Sequence, residues 1–450
     1  TLPEPPTTGT NIAFQARQAV PQGLVAYTNA RIVTMRGDEI IERGTIVVDG
    51  PRIRAVGADV SVPADAFVVD LAGKTVTPGI LDVHAHGAQS ADGVTPQRNW
   101  VQYANLAFGV TTIHDPSNDT NAIFAASELQ KAGRIVAPRI FSTGTILYGA
   151  AGSDKAEIES LDDARMHLRR MKAVGAFSVK SYNQPRREQR QQVIAAAREL
   201  DMLVVPEGGS TFPHNLTMVV DGHTGIEHTL SVEKIYTDVT QLWKGSSVGL
   251  TPTLIVGYGG IWGENYWYAK TDVWANERLL NFVPRSVVDP RSRRRFTAPD
   301  EEWNHFNCAR ICKALVDVGE RVQLGAHGQL AGLGAHWELW MFGQGGLTPL
   351  QAWRAATLDG ARYIGVDDEL GSIEPGKLAD FLVFDADPIA DLANSASLAR
   401  TIQNGVMFDA RTMQRLPTAA TQQSGAVPQF YFRDGLVPAQ DKHTHAGACS

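Results

Sequence analysis

The chain has 450 residues, 43% of them hydrophobic and 20% charged, with a net charge of −7 and a pI near 6.0. That size suits one large α/β domain plus a smaller one. The acidic balance argues against a nucleic-acid partner, and no apolar run reaches membrane-spanning length. A soluble protein without membrane attachment is therefore expected. The N-terminus, Thr1-Leu2-Pro3-Glu4-Pro5-Pro6, lacks the basic and apolar segment of a targeting signal. A signal already removed leaves no trace, so the compartment stays open. Three cysteines make no disulfide framework.

Residues 1–23 are rich in Pro, Thr and Gln and read as an extended arm. From Leu24 the texture changes to short β-branched runs, Arg31-Ile32-Val33-Thr34, Thr45-Ile46-Val47-Val48, Ile53-Arg54-Ala55-Val56 and Phe67-Val68-Val69, with Asp49-Gly50 as a hairpin turn. The same texture returns from Leu378 to Phe384 and in Val406-Met407-Phe408. Residues 24–77 and 367–416 are thus expected to form one composite β-sandwich domain around residues 78–366. Residues 417–450, with His443, His445 and Cys449, read as a disordered tail, with adventitious metal binding as the alternative.

The middle region alternates apolar strands with amphipathic helices. Ser160 is placed to cap a helix carrying Leu161, Ala164, Leu168 and Met171 on one face, ended by Gly175. Thr348-Pro349 opens another, with Leu350, Trp353 and Ala356 aligned. Cys308 and Cys312 lie one turn apart on a buried helix face. Strand candidates end at His86, Asp115, Gly144, Lys180, Glu207, His228, Leu254 and His327. The pattern predicts an α/β fold, a (β/α)8 TIM barrel with chemistry at the C-terminal strand ends.

His84 and His86 follow the buried run Gly79-Ile80-Leu81-Asp82-Val83. Residues two apart on a strand point the same way, so two neutral imidazoles share one face as ready metal ligands. A chance surface pair is the competing reading, made less apt by the buried strand before it and the Gly-rich loop after it.

The segment Thr77-Pro78-Gly79-Ile80-Leu81-Asp82-Val83-His84-Ala85-His86 resembles the first-strand motif of the amidohydrolase superfamily. Gly109-Val110-Thr111-Thr112, Gly225-Ile226-Glu227-His228-Thr229, Leu347-Thr348-Pro349-Leu350 and Gly371-Ser372-Ile373-Glu374-Pro375-Gly376-Lys377-Leu378-Ala379-Asp380 match in order. Within it the chain is similar to the imidazolonepropionase- and prolidase-like branch, and to the amidohydrolase module that often follows a TolB-like propeller. The resemblance implies a metal-dependent hydrolase cleaving an amide or peptide-like C–N bond by metal-activated hydroxide. It implies Zn2+, one ion or two, with Mn2+ or Fe2+ as alternatives. Ligands carried over are His84, His86, His228 and Lys180, the last as a carboxylated lysine bridging a binuclear metal centre. Glu207 and His327 depart from the family, which has His on strand five and Asp on strand eight. The exchange keeps the number of ligands and assigns proton handling to Glu207 or His327. Rival readings are an esterase, lactonase or phosphotriesterase-like hydrolase on the same site, and a catalytically silent binding or assembly paralogue.

Near these residues, Asp115, His223 and His336 are placed beside metal or substrate, with loop-capping or structural roles as alternatives. Tyr148 and Tyr182 are candidates to steady a developing oxyanion. The aromatic, Gly-rich stretch from Tyr258 through Trp262 to Trp274 reads as a wall over the site, selecting a small-molecule substrate with an apolar or aromatic group. An interface with another subunit is its alternative, and a homo-oligomer is expected.

Overall fold

The computed structural model describes residues 8, 10, 14–209, 211–418 and 425–430. The first part of the predicted arm and most of the predicted tail, including His443, His445 and Cys449, lie outside them. Residues 14–20 run exposed and without regular secondary structure, touching the body where Ala19 N donates to Lys131 O (2.9 Å). In the C-terminal segment Phe430 is buried, edge-on to Tyr103 with ring centroids 5.2 Å apart.

Five strands come first: β1 (Leu24–Val33), β2 (Ile40–Asp49), β3 (Arg52–Gly57), β4 (Phe67–Asp70) and β5 (Thr75–Pro78). Asp49 pairs with Arg52 across the β2–β3 turn, where Gly50 takes the φ of +56° such a turn requires. Nine short strands follow: β6 (Ile80–Asp82), β7 (Val110–Asp115), β8 (Arg139–Ser142), β9 (Ile146–Tyr148), β10 (Lys155–Glu157), β11 (Ser178–Ser181), β12 (Leu203–Pro206), β13 (Gly225–Glu227) and β14 (Gly249–Thr251). The last three are β15 (Phe381–Phe384), β16 (Leu398–Gln403) and β17 (Val406–Asp409).

Helices α1 (Trp100–Ala107), α2 (Thr120–Lys131), α3 (Leu161–Ala173), α4 (Arg187–Glu199), α5 (Phe212–Asp221) and α6 (Thr237–Lys244) alternate with the parallel strands. After β14 come α7 (Gly263–Lys270), α8 (Glu277–Phe282), α9 (Arg285–Arg293) and α10 (His305–Asp317). Then follow α11 (Leu333–Gln344), α12 (Pro349–Ala356) and α13 (Leu358–Tyr363). Ser160 and Asp163 form a capping box on α3, and Thr348 and Gln351 form one on α12, as their sequence spacing predicts. Cys308 and Cys312 are buried on α10.

The N- and C-terminal strands join in one eight-stranded sheet, ordered β17-β16-β15-β5-β1-β2-β3 with β4 beside β1. The joint is the antiparallel β5–β15 ladder, from Phe381↔Pro78 to Phe384↔Thr75. The segments expected to form a sandwich therefore share one hydrogen-bonded sheet. Its core brings Tyr27, Ile46 and Val76 together with Phe381 and Ile402.

The middle region is a TIM-barrel-like α/β fold. Parallel ladders run β6-β7-β8, β9-β11-β12 and β13-β14. Thr224 N donates to Val204 O (3.1 Å), linking β12 to β13. Leu250 of β14 bridges Val322 in parallel, and Val83 N, beyond β6, donates to Leu324 O (3.0 Å). The segment around Leu324 thus stands where an eighth strand is expected. Strand seven is shorter than predicted: β14 stops at Thr251, and Leu254 opens a 3-10 turn. The Leu254 and Ile255 amides donate to the buried Glu338 carboxylate (2.7 and 3.0 Å), so tertiary bonds replace the ladder there. Among the described residues no helix is long and apolar enough to cross a membrane.

Candidate metal centre

His84 and His86 lie just past β6, and their Nε2 atoms approach to 3.1 Å. Each ring is held from behind. His84 Nδ1 meets Glu227 Oε2 at 2.5 Å, and His86 Nδ1 meets Asp115 Oδ1 at 3.1 Å. A carboxylate accepts the Nδ1 proton, which fixes the tautomer and leaves the Nε2 lone pair outward. Two lone pairs then face one another across 3.1 Å, an arrangement that repels unless a cation lies between them.

His327 supplies a third imidazole. Ligand atoms of His84, His86 and His327 all fall within 4.8 Å of one another. Both ring nitrogens of His327 are buried without a hydrogen-bond partner. Buried polar atoms rarely go unpaired, so such a ring is shaped for something it binds. Its ring stacks on His84 at 5.0 Å, and its backbone N–H donates to His84 O at 2.6 Å. His327 has φ +58°, and the next residue, Gly328, φ +70°. A Cβ on Gly328 would sit 2.1 Å from His86 O, so glycine there lets the two backbones touch.

His228 is the fourth ring, 4.9 Å from His84 and 5.2 Å from His327. Its Nδ1 is bonded to Thr253 Oγ1 (2.7 Å), while Nε2 stands 2.9 Å from Glu207 Oε1, off the hydrogen-bonding direction. Lys180 Nζ lies 2.5 Å from Glu207 Oε2. Burial pushes the Glu207 carboxyl up, but Lys180 and His228 outweigh it and hold it well below the usual range. Burial, then the neighbouring positive groups, keep His84 and His327 well below the ordinary imidazole value and hence neutral. Neutral rings with free lone pairs fit a divalent transition metal, and three to four nitrogens beside one carboxylate suit zinc or its neighbours.

Tyr258 completes this side: its hydroxyl is 3.4 Å from Glu207 Oε1 and its ring 5.0 Å from His228. Asp115 also accepts from Ser117 N (3.0 Å) and Asn118 Nδ2 (2.7 Å), so it holds both His86 and the following loop. Tyr148 and Tyr182 pack edge-to-face at 5.5 Å, with Lys155 Nζ over both rings. Trp262 is 38% exposed.

Two candidates lie elsewhere. His336 is buried inside α11, and its nitrogens meet Ser395 Oγ (2.9 Å) and Phe108 O (2.7 Å), pinning the helix to the sheet-side segments. His223 follows α5, where Nδ1 meets Met218 O (3.0 Å) and burial lowers its pKa to about 4. Both are used in packing instead of facing the cluster.

Sequence reading passed over Glu227, although it adjoins His228. Besides His84 it accepts from Thr251 Oγ1 (3.0 Å) and Tyr363 OH (2.5 Å), and burial raises its pKa to about 7. An acid at the end of a strand, one residue before a candidate ligand histidine, was the available signal.

Residues 313–408 match the Amidohydrolase family. That match covers the C-terminal part of the chain and is consistent with the amidohydrolase superfamily. It is 34% identical over 125 residues to an imidazolonepropionase from Roseobacter denitrificans, covering 25% of this chain and 31% of that relative. The match therefore spans about a third of that relative's length. In fold the chain is similar to a Xaa-Pro dipeptidase crystallised with bound methionine in the active site, with TM-score 0.66 and 19% identity over 86% of this chain and 100% of that one. It is also similar to a putative prolidase from Bifidobacterium longum, with TM-score 0.65 and 21% identity over 93% and 98% of the two chains. Amidohydrolases are typically metal-dependent, and the cluster of His84, His86 and His327 could hold an ion.

Proposed function

We propose that this chain is a metal-dependent amidohydrolase that cleaves an amide or peptide-like C–N bond in a small molecule with an apolar or aromatic group. The observation that carries the reading is the convergence of the His84 and His86 Nε2 lone pairs, each ring braced through Nδ1 by a buried carboxylate. The fold neighbours named as a Xaa-Pro dipeptidase and a putative prolidase support C–N cleavage. The same reading closes the parallel strands into an eight-membered barrel and folds the composite sheet into a sandwich. It takes residues 24–77 with 367–416 as one domain and 78–366 as the other.

His84, His86, His228 and His327 would hold the metal, with Zn2+ favoured by the nitrogen-rich donor set. Bound there, it would supply Lewis acidity and lower the pKa of water by several units. Glu227 and Asp115 keep their histidines in the ligating tautomer. Glu207, ionised beside Lys180, presents a fixed negative charge that favours a positive or proton-bearing group at its Oε1 face. Tyr258, donating toward that carboxylate, is placed to release its hydroxyl to a substrate oxygen. If Lys180 carries the carboxylate that the family resemblance implies, two anions stand in contact at Glu207, a pairing that only cations between them would favour.

The test is metal analysis combined with a substrate screen across amides, esters and lactones. Wild-type protein is expected to carry a divalent metal and to hydrolyse an amide. His84→Ala with His86→Ala should leave a folded chain without metal or activity. Full activity in the metal-free double variant would refute the reading.

A further inference from the structure

Tyr363 ends α13, a helix that carries none of the four clustered histidines, and is only 2% exposed. Its hydroxyl donates to Glu227 Oε1 (2.5 Å), and the other oxygen of that carboxylate meets His84 Nδ1. A glycine makes the approach possible. Gly225 lies two residues before Glu227, on the same face of β13. A Cβ there would sit 2.4 Å from Tyr363 Cε2 and 2.6 Å from its hydroxyl oxygen, so any side chain at 225 would displace the phenol.

Strand β14 repeats the device. Gln323 lies over Gly249, where a Cβ would come within 2.7 Å of Gln323 Oε1, and Gln323 Nε2 donates to Thr251 Oγ1 (2.8 Å). Thr251, two residues after Gly249, donates in turn to Glu227 Oε1 (3.0 Å). Glu227 Oε1 is thus filled by two hydroxyl donors, and Oε2 is left to accept the His84 Nδ1 proton. A neutral imidazole that donates through Nδ1 carries its lone pair on Nε2, the atom that faces His86. His84, Glu227 and Thr251 are all fully buried, so no water competes for these bonds. Burial, then the Glu227 charge, push the Tyr363 pKa well above the usual phenol value, so the group stays a donor. A phenylalanine at 363 would fill the same space, and packing alone does not account for the hydroxyl.

We propose that Tyr363 is a positioning residue for the metal centre, holding Glu227 so that His84 keeps its Nε2 lone pair facing His86. The inference deepens the hydrolase reading and rests on it for the metal. Partners behind a ligating imidazole orient the ring and fix its tautomer, and losing one typically lowers metal affinity by about 10–100-fold. Tyr363 acts through a second group, which places it at the low end of that range.

Zn2+ affinity of the metal-stripped full chain, read by competition with a chromogenic chelator, tests this without turnover. Tyr363→Phe should raise Kd about tenfold, and Thr251→Val, which removes the second donor to the same oxygen, should raise it too. In a Glu227→Gln background Tyr363→Phe should change Kd by less than about twofold, because its route to His84 is already broken. Tyr27→Phe alters a buried phenol that has no hydrogen-bond partner in the sheet core, and should leave Kd at the wild-type value. Loaded with Co2+, Tyr363→Phe should show shifted visible absorption bands and Tyr27→Phe the wild-type ones. An unchanged Kd or unshifted bands in folded Tyr363→Phe, or the full tenfold loss persisting beside Glu227→Gln, would overturn the proposal. If circular dichroism shows Tyr363→Phe unfolded, Thr251→Val carries the same test, and an unchanged Kd there overturns it. Wild-type protein that binds no divalent metal would overturn this inference and the metal-dependent reading together. Metal affinity that depends on Tyr363, without hydrolysis of any amide, ester or lactone, would remove the hydrolase reading alone.

Discussion

At the scale of single residues, His327 is the position where backbone and chemistry meet. Its φ of +58° is uncomfortable for most side chains, so His327→Ala would mix strain with loss of the ring. His327→Gly removes the ring while keeping the backbone relaxed. Both ring nitrogens are buried and unpartnered, so that change should lower bound metal and cut kcat by about 10²-fold or more. Full metal with low kcat would make His327 a base only; normal metal and turnover would remove it from the site. Glu207 differs because its carboxylate is already matched by Lys180 and His228. The motif around His228 made the histidine legible. Glu227 was not legible as the brace of His84, because the pair is separated by 143 residues and meets only in the folded chain.

At the scale of elements, local chemistry decides where helices start. Ser160 Oγ accepts from Asp163 N, and Asp163 Oδ2 accepts from Ser160 N. Ser160→Ala should therefore cost about 1 kcal/mol of stability in urea unfolding, with metal content and activity unchanged. A loss below the error of the measurement would mean that water replaces the cap. The capping signals of α3 and α12 could be read directly, because every participating group lies within one turn. The end of strand seven could not. The strand candidate reaching Leu254 passes through Thr251-Pro252-Thr253, and beyond it Glu338 on α11 takes the Leu254 and Ile255 amide protons that a longer ladder would have used.

At the scale of the molecule, the two ends of the chain are fastened by β5 against β15. Phe381 is fully buried there and meets Tyr27 edge-on, with centroids 5.0 Å apart. Phe381→Ala should cost about 3–5 kcal/mol, read as a lower Tm and urea midpoint. Retention of wild-type stability would mean that the sheet does not depend on its C-terminal strands.

The sequence by itself determined the alternation of strands and helices, the return of β texture at the C-terminus, the helix caps and the His84–His86 pair. Each depends on periodicity or on groups a few residues apart, and such spacing is written in the chain. Only the tertiary structure decided that the two β segments share one sheet, that His336 and His223 pack away from the cluster, and that Glu227 holds His84. These outcomes turn on which polar atoms become buried together, and burial is a property of three-dimensional neighbours instead of sequence neighbours.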